Sequence, residues 1–320
     1  AWNHNTITHP TVIIDETAQP EACSASAELF GRCDWAQVAS AYSYDTYPEA
    51  DLYHRTAAVV EVDEDRHSIV DVFRILGGEQ HDYAFHSLSG QDGQNFEITC
   101  TDRLGARPGT LAGEDVEYLS ETENGYSWMK DIRTGDVDEP FTATWRVGDE
   151  QGTGYRIYMP ASDSRTVFTG LGEGKGTVGR SPMDAYLVVR HSGETPQSTT
   201  YMAVHEPFQG ESLGLTVEKL AIADIAGSRL PAAMKITTTD GLEFTFRSAL
   251  PAGWQDEDRY NGAQSIEITG PQGELAVNGT PADPATVYAG EILDVDYAAN
   301  ALITESDRDL SSLQGRVIYI

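Results

Sequence analysis

Basic residues are scarce in this sequence. Its 320 residues include 21 Lys and Arg against 51 Asp and Glu, which gives a formal net charge of -30, and only four of the basic residues are Lys. Such a surface repels nucleic acid and anionic membranes, so we expect neither as a partner. Acidity with few lysines suits salty water, in which charges more than roughly 8–10 Å apart are screened, although solubility alone is the simpler explanation.

Long apolar segments are missing as well. No run of about 18 or more apolar residues occurs, and the N-terminal segment lacks the basic start and apolar stretch of a signal peptide. We expect either that a signal was removed or that the chain begins downstream of its true start. Apolar residues make up 40% of the composition, which is enough for one large domain or a large domain with a small one.

Cysteine is rare, and its spacing fits no CxxC metal pair. Cys23 and Cys33 are ten positions apart, which permits a short-loop disulfide in an oxidising compartment. The third residue, Cys100, makes the count odd, so the sequence leaves a bridge and free thiols as open alternatives.

Common enzyme motifs are also absent: there is no HExxH pair and no calcium loop. The glycine-rich stretch Gly170–Arg180 superficially suggests a phosphate loop. However, Lys175 is followed by Gly176 rather than Ser or Thr, and no βαβ pattern surrounds it. A flexible connection is the simpler interpretation.

The dominant pattern is that of short β-strands. Segments rich in Val, Ile, Thr, Tyr and Phe alternate with Gly, Asp, Asn and Pro clusters, and turns at 149–152 and at Asp240-Gly241 predict hairpins. Only one segment, 24–42, has a composition that suits a helix, and we expect no more than a helical turn or two in it. The pattern predicts an all-β protein built as a large antiparallel β-sandwich of the supersandwich type, with a small C-terminal β module.

A domain boundary is expected where the composition turns polar near residue 255. We assign residues 1–255 to the sandwich domain and residues 256–320 to the small C-terminal β module.

Two stretches hold titratable residues in candidate sites. In the stretch that ends at His86, strand alternation places His81 on the face of Tyr83 and sends Asp82 and His86 to the opposite face, which favours buried, hydrogen-bonded polar groups over catalysis. The other stretch, Val204–Phe208, contains His205 and Glu206 as a base and an acid without a visible partner, and we interpret it as the exit of a strand, since Pro207 keeps Glu206 out of a helix.

Taken together, these segments resemble the β-rich C-terminal part of heparinase II/III-like polysaccharide lyases. In that family a His-Asn-Thr strand runs to an Asp with a Gln after it, and here the matching residues are His9 through Asp15, followed by Gln19. Pro10 departs from the family's Asn. Further matches follow in the family's order: YHRTAAVVEV, DVFRILGGEQHDYAFH, TATWRVGDEQGTGYRIYM, TTYMAVHEPFQG and LQGRVIYI.

The resemblance implies β-eliminative cleavage of uronate-containing polysaccharides such as glycosaminoglycans or alginate, in a secreted or periplasmic enzyme. It also implies an (α/α) toroid joined to the sandwich, which supplies most of the catalytic Asn, His and Tyr groups and would lie upstream of Ala1. Acidic polysaccharide is then the expected partner. Whether this chain alone is an enzyme stays open, because its own catalytic residues are unknown.

The resemblance further implies a zinc site in the sandwich, with His9 as one ligand and another His and an Asp upstream. His4 offers a second His-Asn-Thr, but its spacing to Asp15 is wrong, so His9 is preferred. A single imidazole does not complete a tetrahedral zinc site.

The alternative is a non-catalytic carbohydrate-binding or structural β-sandwich module. The absence of a complete catalytic constellation favours it, and several aromatic residues are candidates for stacking on sugar rings: Trp2, Trp35, Tyr42, Tyr44 and Tyr47.

Overall fold

The structure is a computed structural model and describes residues 4–89, 91–120, 124–148, 152–173, 182–221, 228–251, 265–278, 292–296 and 301–304. Strands dominate these residues, and short 3-10 turns occur at Thr6–Thr8, Gln91–Gly93, Thr101–Arg103 and Tyr126–Trp128. In this part of the chain, no helix has the length and apolar character needed to cross a membrane.

The strands follow the chain in this order: β1 (Thr11–Ile14), β2 (Ser26–Arg32), β3 (Ala36–Tyr42), β4 (Leu52–Glu61), β5 (His67–Leu76), β6 (Gln80–His86), β7 (Phe96–Ile98), β8 (Gly105–Ala106), β9 (Lys130–Asp136), β10 (Phe141–Arg146), β11 (Gly154–Met159), β12 (Arg165–Glu173), β13 (Met183–Ser192), β14 (Ser198–Phe208), β15 (Thr216–Lys219), β16 (Ser228–Thr237), β17 (Glu243–Pro251), β18 (Ser265–Gly270), β19 (Gly273–Asn278), β20 (Ile292–Asp296) and β21 (Ala301–Thr304).

These strands form three large sheets in which the pairing between neighbours is antiparallel. The front sheet has the order β1-β6-β13-β12-β9-β8, the middle sheet β2-β3-β4-β5-β14-β11-β10-β7, and the back sheet β15-β16-β17-β18-β19; β20 and β21 pair as a hairpin. The predicted large antiparallel sandwich is confirmed, and a third layer adds to it.

One hydrophobic core lies between the front and middle sheets. Alternate residues of each strand enter it, such as Tyr83 and Phe85 from β6 and Phe73 from β5. Trp145 of β10 is fully buried there, and its indole N–H donates to the Ala185 carbonyl oxygen at 2.7 Å. Since burying one large apolar side chain contributes roughly 1.5–3 kcal/mol, this layer is a major source of stability.

A second core lies between the middle and back sheets. The opposite face of β4 and β5 contributes Val60 and Val70, and the back sheet contributes Ile236, Phe246 and Ile268. Both faces of the central strands are therefore covered along part of their length, which explains why these strands read as nearly continuous apolar runs in the sequence.

The segment predicted as the one helical candidate, 24–42, instead forms the hairpin of β2 and β3, so that prediction is wrong. In β3 the buried residues alternate with exposed ones, with Val38 and Tyr42 on the buried side. A period of two is the period of a strand, and the many Ala and Ser residues of this segment hide it in the sequence. The pairing with the long strand β4 then fixes the extended backbone.

The boundary predicted near residue 255 lies outside the described residues. The two strands that flank it, β17 and β18, pair directly within the back sheet, with Phe246 opposite Ile268. The division into residues 1–255 and residues 256–320 stays a prediction.

Candidate functional site: the Asp71 cluster beside an open sheet face

The predicted metal ligand His9 is exposed at the start of β1, directly after the short 3-10 turn. β1 pairs with β6 with Thr11 opposite Ala84, and continuing this register brings His9 opposite His86. The two imidazoles are close enough to interact electrostatically: burial first, and then His9, lower the pKa of His86 to about 4. The His86 ring stacks on Tyr186 at 4.3 Å, and its buried Nδ1 has no hydrogen-bond partner in the described part of the chain.

A zinc ion needs three or four protein ligands. Within the described ranges, no group of three His, Cys, Asp or Glu side chains lies together in an arrangement that holds a metal. His9 and His86 supply two imidazoles at most, so the described residues do not complete a zinc site.

The remaining residues of the His9–Gln19 stretch have structural roles. Asp15 accepts hydrogen bonds from the backbone N–H groups of Glu79 and Gln80, both at 2.8 Å, and so caps the turn between β5 and β6. The side-chain amide of Gln19 donates to the Tyr53 hydroxyl at 3.0 Å, and that hydroxyl donates to the Val12 carbonyl oxygen at 2.6 Å. These bonds attach the edge strand β1 to its neighbours.

Replacing Asp15 by Ala is expected to lower the free energy of unfolding by about 2 kcal/mol. Two backbone N–H groups lose a charged acceptor, and Ala tolerates the positive φ of 49° at this position less well than Asp does. Urea unfolding measures the change. Asp15→Asn is the matched control, because Asn keeps an acceptor oxygen and the backbone conformation; a loss as large as that of Asp15→Ala would contradict the capping role.

The stretch that ends at His86 has the predicted geometry. His81 lies on the face of Tyr83, where its ring nitrogens bond to the Thr199 hydroxyl and the Gly77 carbonyl oxygen, both at 2.7 Å. Asp82 lies on the opposite face and is fully buried, and it receives two hydrogen bonds at 2.7 Å from Arg190. The interpretation as buried, hydrogen-bonded groups is confirmed for both residues.

A second group of polar side chains, Arg55, Asp71, Tyr83 and His205, meets between the front and middle sheets; we call it the Asp71 cluster. Arg55 binds both carboxylate oxygens of Asp71, through Nε at 2.8 Å and Nη2 at 2.9 Å. The Tyr83 hydroxyl lies 2.9 Å from the Asp71 carboxylate and 2.9 Å from Nε2 of His205. The cluster therefore draws on strands β4, β5, β6 and β14.

The charges in the Asp71 cluster determine which of its atoms carry a proton. Burial alone would raise the pKa of Asp71, but Arg55 and His205 hold it well below its usual range, so Asp71 is a carboxylate. Tyr83 has one proton and donates it to this carboxylate, and His205 must then donate from Nε2 to the Tyr83 oxygen. Burial and the neighbouring Asp71 raise the pKa of Tyr83 well above its usual value.

Arg55 is the exposed end of the cluster. Its side chain is 36% exposed, whereas that of Asp71 is 2% exposed. Besides the two bonds to Asp71, the guanidinium makes one bond within the described part of the chain, from Nη1 to the Pro10 carbonyl oxygen at 2.9 Å. It has five N–H groups, so two remain for an acceptor that approaches from outside.

Beside Arg55 the middle sheet extends beyond the front sheet, and none of the described residues covers part of its face. Six of the residues that share the face of Asp71 and Arg55 by strand register form what we call the shelf: Phe30, Gln37, Ala39, Ala41, Ala57 and Val59. Phe30 is 40% exposed and Val59 39% exposed. The shelf is largely apolar, with the Arg55 guanidinium at its inner end and the exposed Arg32 and Glu61 on the same face at its outer end.

The sequence did not indicate Arg55, and His205 was interpreted as part of a strand exit. β14 does end at Phe208, and within its last residues His205 packs against Phe85, with ring centroids 5.3 Å apart. Cys23 and Cys33 are free thiols, so no bridge joins them. Most of the glycine-rich stretch Gly170–Arg180 lies outside the described residues. Of the predicted aromatic candidates, Trp35, Tyr42 and Tyr47 belong to buried clusters and do not face the shelf.

The comparisons with known proteins give structural likeness alone. No protein-family model matches the sequence, and no curated protein matches it. Among solved structures, the chain is similar to the heparan sulfate lyase HepC from Pedobacter heparinus, with 10% identity and a TM-score of 0.47 over 78% of this chain and 31% of that chain. It is also similar to a heparinase III gene product, with 11% identity and a TM-score of 0.48 over 77% of this chain and 31% of that chain.

A third structure, of heparinase III, matches with 13% identity and a TM-score of 0.45 over 76% of this chain and 30% of that chain. The chain thus spans about 30% of the length of these proteins.

Proposed function

We propose that this chain is the β-sandwich part of a polysaccharide lyase and that its shelf binds a uronate-containing segment. The observation that carries the proposal is the partly exposed guanidinium of Arg55, which buried Asp71 fixes at the inner end of an open apolar sheet face. A guanidinium recognises a carboxylate through parallel N–H···O bonds. The apolar face beside it suits the carbon face of a sugar ring, since Phe30 offers a large rigid contact there.

The orientation of the guanidinium supports this role. Asp71 and the Pro10 carbonyl oxygen occupy three of its N–H groups and hold it in one plane, so a bound carboxylate would lose little further side-chain entropy. The net charge of -30 repels a polyanion at long range, so recognition has to be local, and salt would weaken the repulsion.

β-Elimination removes the proton next to the uronate carboxylate and needs a charge neutraliser, a base and an acid. Arg55 suits the first role. Tyr83 does not suit the second, because it is 1% exposed and its hydroxyl donates to Asp71. We therefore propose that the proton-transfer groups come from an (α/α) toroid of the same gene product, in a secreted or periplasmic enzyme.

Zinc enters this proposal only with ligands from outside the described residues. His9 would supply one imidazole to such a site, and no step of the elimination is assigned to the metal.

A non-catalytic carbohydrate-binding module is the second candidate, and it is favoured by the burial of Tyr83 and His205 within the Asp71 cluster. Both candidates use the shelf. They differ in a lyase assay with alginate, heparan sulfate and chondroitin, in which elimination creates an unsaturated uronate that absorbs ultraviolet light. Elimination products from the full gene product support the lyase, and binding without such products supports the module.

The shelf is tested by titrating the protein with alginate and with neutral dextran. Phe30→Ala is expected to weaken alginate binding severalfold by removing the ring contact. Arg55→Lys keeps the charge but loses the planar fork, and we expect roughly tenfold weaker binding, equivalent to about one strong hydrogen bond.

Arg247→Lys is the matched control, because Arg247 is 59% exposed on the back sheet and lies opposite Glu267 in β18. Alginate affinity that is equal in the unmodified protein and all three variants, or no preference for alginate over dextran, would overturn the assignment of the shelf.

A further inference from the structure

A small pit lies at the end of the front and middle sheets where β11 leads into β12. Its volume of about 10 Å³ admits a single water-sized group. The residues that line it and matter here are Met159, Ser162, Arg165, His191 and Tyr201. It shares none of these residues with the Asp71 cluster or the shelf.

Arg165 gives the pit its charge. The residue is 1% exposed, and its guanidinium donates to the backbone carbonyl oxygens of Val137, Pro160 and Glu139. Three of five N–H groups are used in this way. Among the described residues, no carboxylate forms an ion pair with Arg165, although Asp138 and Glu139 lie near enough to act on it electrostatically.

A buried guanidinium without a paired carboxylate is costly, because carbonyl dipoles compensate a full charge only in part. Burial accordingly lowers the pKa of Arg165 to about 10. An anion beside the guanidinium would supply the missing counter-charge.

The other walls of the pit add a hydrogen-bond donor and polarisable side chains. The Ser162 hydroxyl lies 3.4 Å from Nε2 of His191 and is free to rotate a proton towards the pit. Burial first, and then the charge of Arg165, lower the pKa of His191 to about 4, so this ring is neutral at pH 7. Met159 and the Tyr201 ring, both of which belong to the core between the front and middle sheets, complete the walls with polarisable surface.

These features select the ligand. A cation is repelled by Arg165, and a polyatomic anion such as sulfate is too large for a pit of this volume. We propose that the pit is a halide site, in which chloride accepts hydrogen bonds from the Arg165 guanidinium and the Ser162 hydroxyl. Guanidinium is weakly hydrated, which suits a weakly hydrated monatomic anion.

The site is tested by thermal unfolding at one fixed ionic strength, with sodium gluconate replaced stepwise by sodium chloride. Gluconate does not fit the pit, so general screening is held constant. The midpoint of unfolding is expected to rise by on the order of 2–4 °C and to saturate, as linkage to a single site requires.

Ser162→Ala is expected to keep the midpoint in gluconate and to lose most of the rise in chloride. Ser198→Ala, at the exposed start of β14, is the matched control and should behave like the unmodified protein. Because these shifts are small, crystals of the unmodified protein soaked in sodium bromide provide a second readout, with an anomalous peak expected between Arg165 and Ser162. Equal midpoints in the two salts, or a pit without a peak while bromide is bound elsewhere, would overturn the halide site.

Discussion

Replacing Asp71 by Ala is expected to lower the free energy of unfolding by about 3 kcal/mol or more. Asp71 is buried and charged, and Arg55 binds both of its oxygens. Removal of one partner of such a pair leaves the other without its counter-charge, which costs roughly 3–5 kcal/mol when the remaining charge is buried. Arg55 is partly exposed, which reduces this cost, whereas Tyr83 also loses the acceptor of its hydroxyl. Chemical denaturation at pH 7 measures the change.

The double variant Arg55→Leu/Asp71→Leu separates the charge from the packing. With both members of the pair gone, no uncompensated charge remains, so its loss of stability should be smaller than that of Asp71→Ala. If the double variant is the less stable of the two, the pair does not have the role in stability that we assign to it.

The pH dependence of stability has a definite sign. Because the pKa of Asp71 is depressed in the folded protein, its contribution is present above its ordinary value of 3.8 and is lost as the pH falls below it. Asp71→Asn should therefore flatten this acid limb of the stability curve while lowering stability at pH 7.

Two phenylalanines give a second large effect with an internal comparison. Phe246 is 1% exposed in the core between the middle and back sheets, and Phe30 is 40% exposed on the shelf. Phe246→Ala is expected to cost about 3–5 kcal/mol in unfolding free energy, since it leaves a cavity between two layers. Phe30→Ala is expected to cost within about 0.5 kcal/mol. Both values come from urea unfolding curves.

The comparison of the two variants tests both the packing of the back sheet on the middle sheet and the exposure of the shelf. A small effect of Phe246→Ala would mean that the back sheet does not pack on the middle sheet as described. A large effect of Phe30→Ala would mean that the shelf is covered in solution.

The fold was largely predictable because long strands carry their own signal. Segments such as β5 and β13 are runs of Val, Ile and Leu that remain extended wherever they pack, and the turn at Asp240-Gly241 has the backbone freedom that a hairpin requires. The prediction failed for 24–42, because Ala and Ser occupy many of the positions that alternate between the buried and the exposed face of the strand. Its strand character comes from pairing with β4 rather than from its own composition.

The candidate site was less predictable. Within β6, face assignment needs only alternation, and there the prediction for His81 and Asp82 succeeded. The Asp71 cluster joins residues as far apart as Tyr83 and His205, which are 122 positions apart in sequence. Local sequence does not encode which strands become neighbours in a sheet. The shelf is harder still, because it arises where one sheet is wider than the sheet packed on it.

The central claim is that the shelf and Arg55 form the contact site for a uronate chain. The most direct measurement is a crystal structure of the protein with a short oligouronate at saturating concentration. The account predicts sugar density over Phe30 and Ala57, with a carboxylate within about 3 Å of the Arg55 guanidinium. Oligouronate bound at another surface while the shelf stays bare would contradict it.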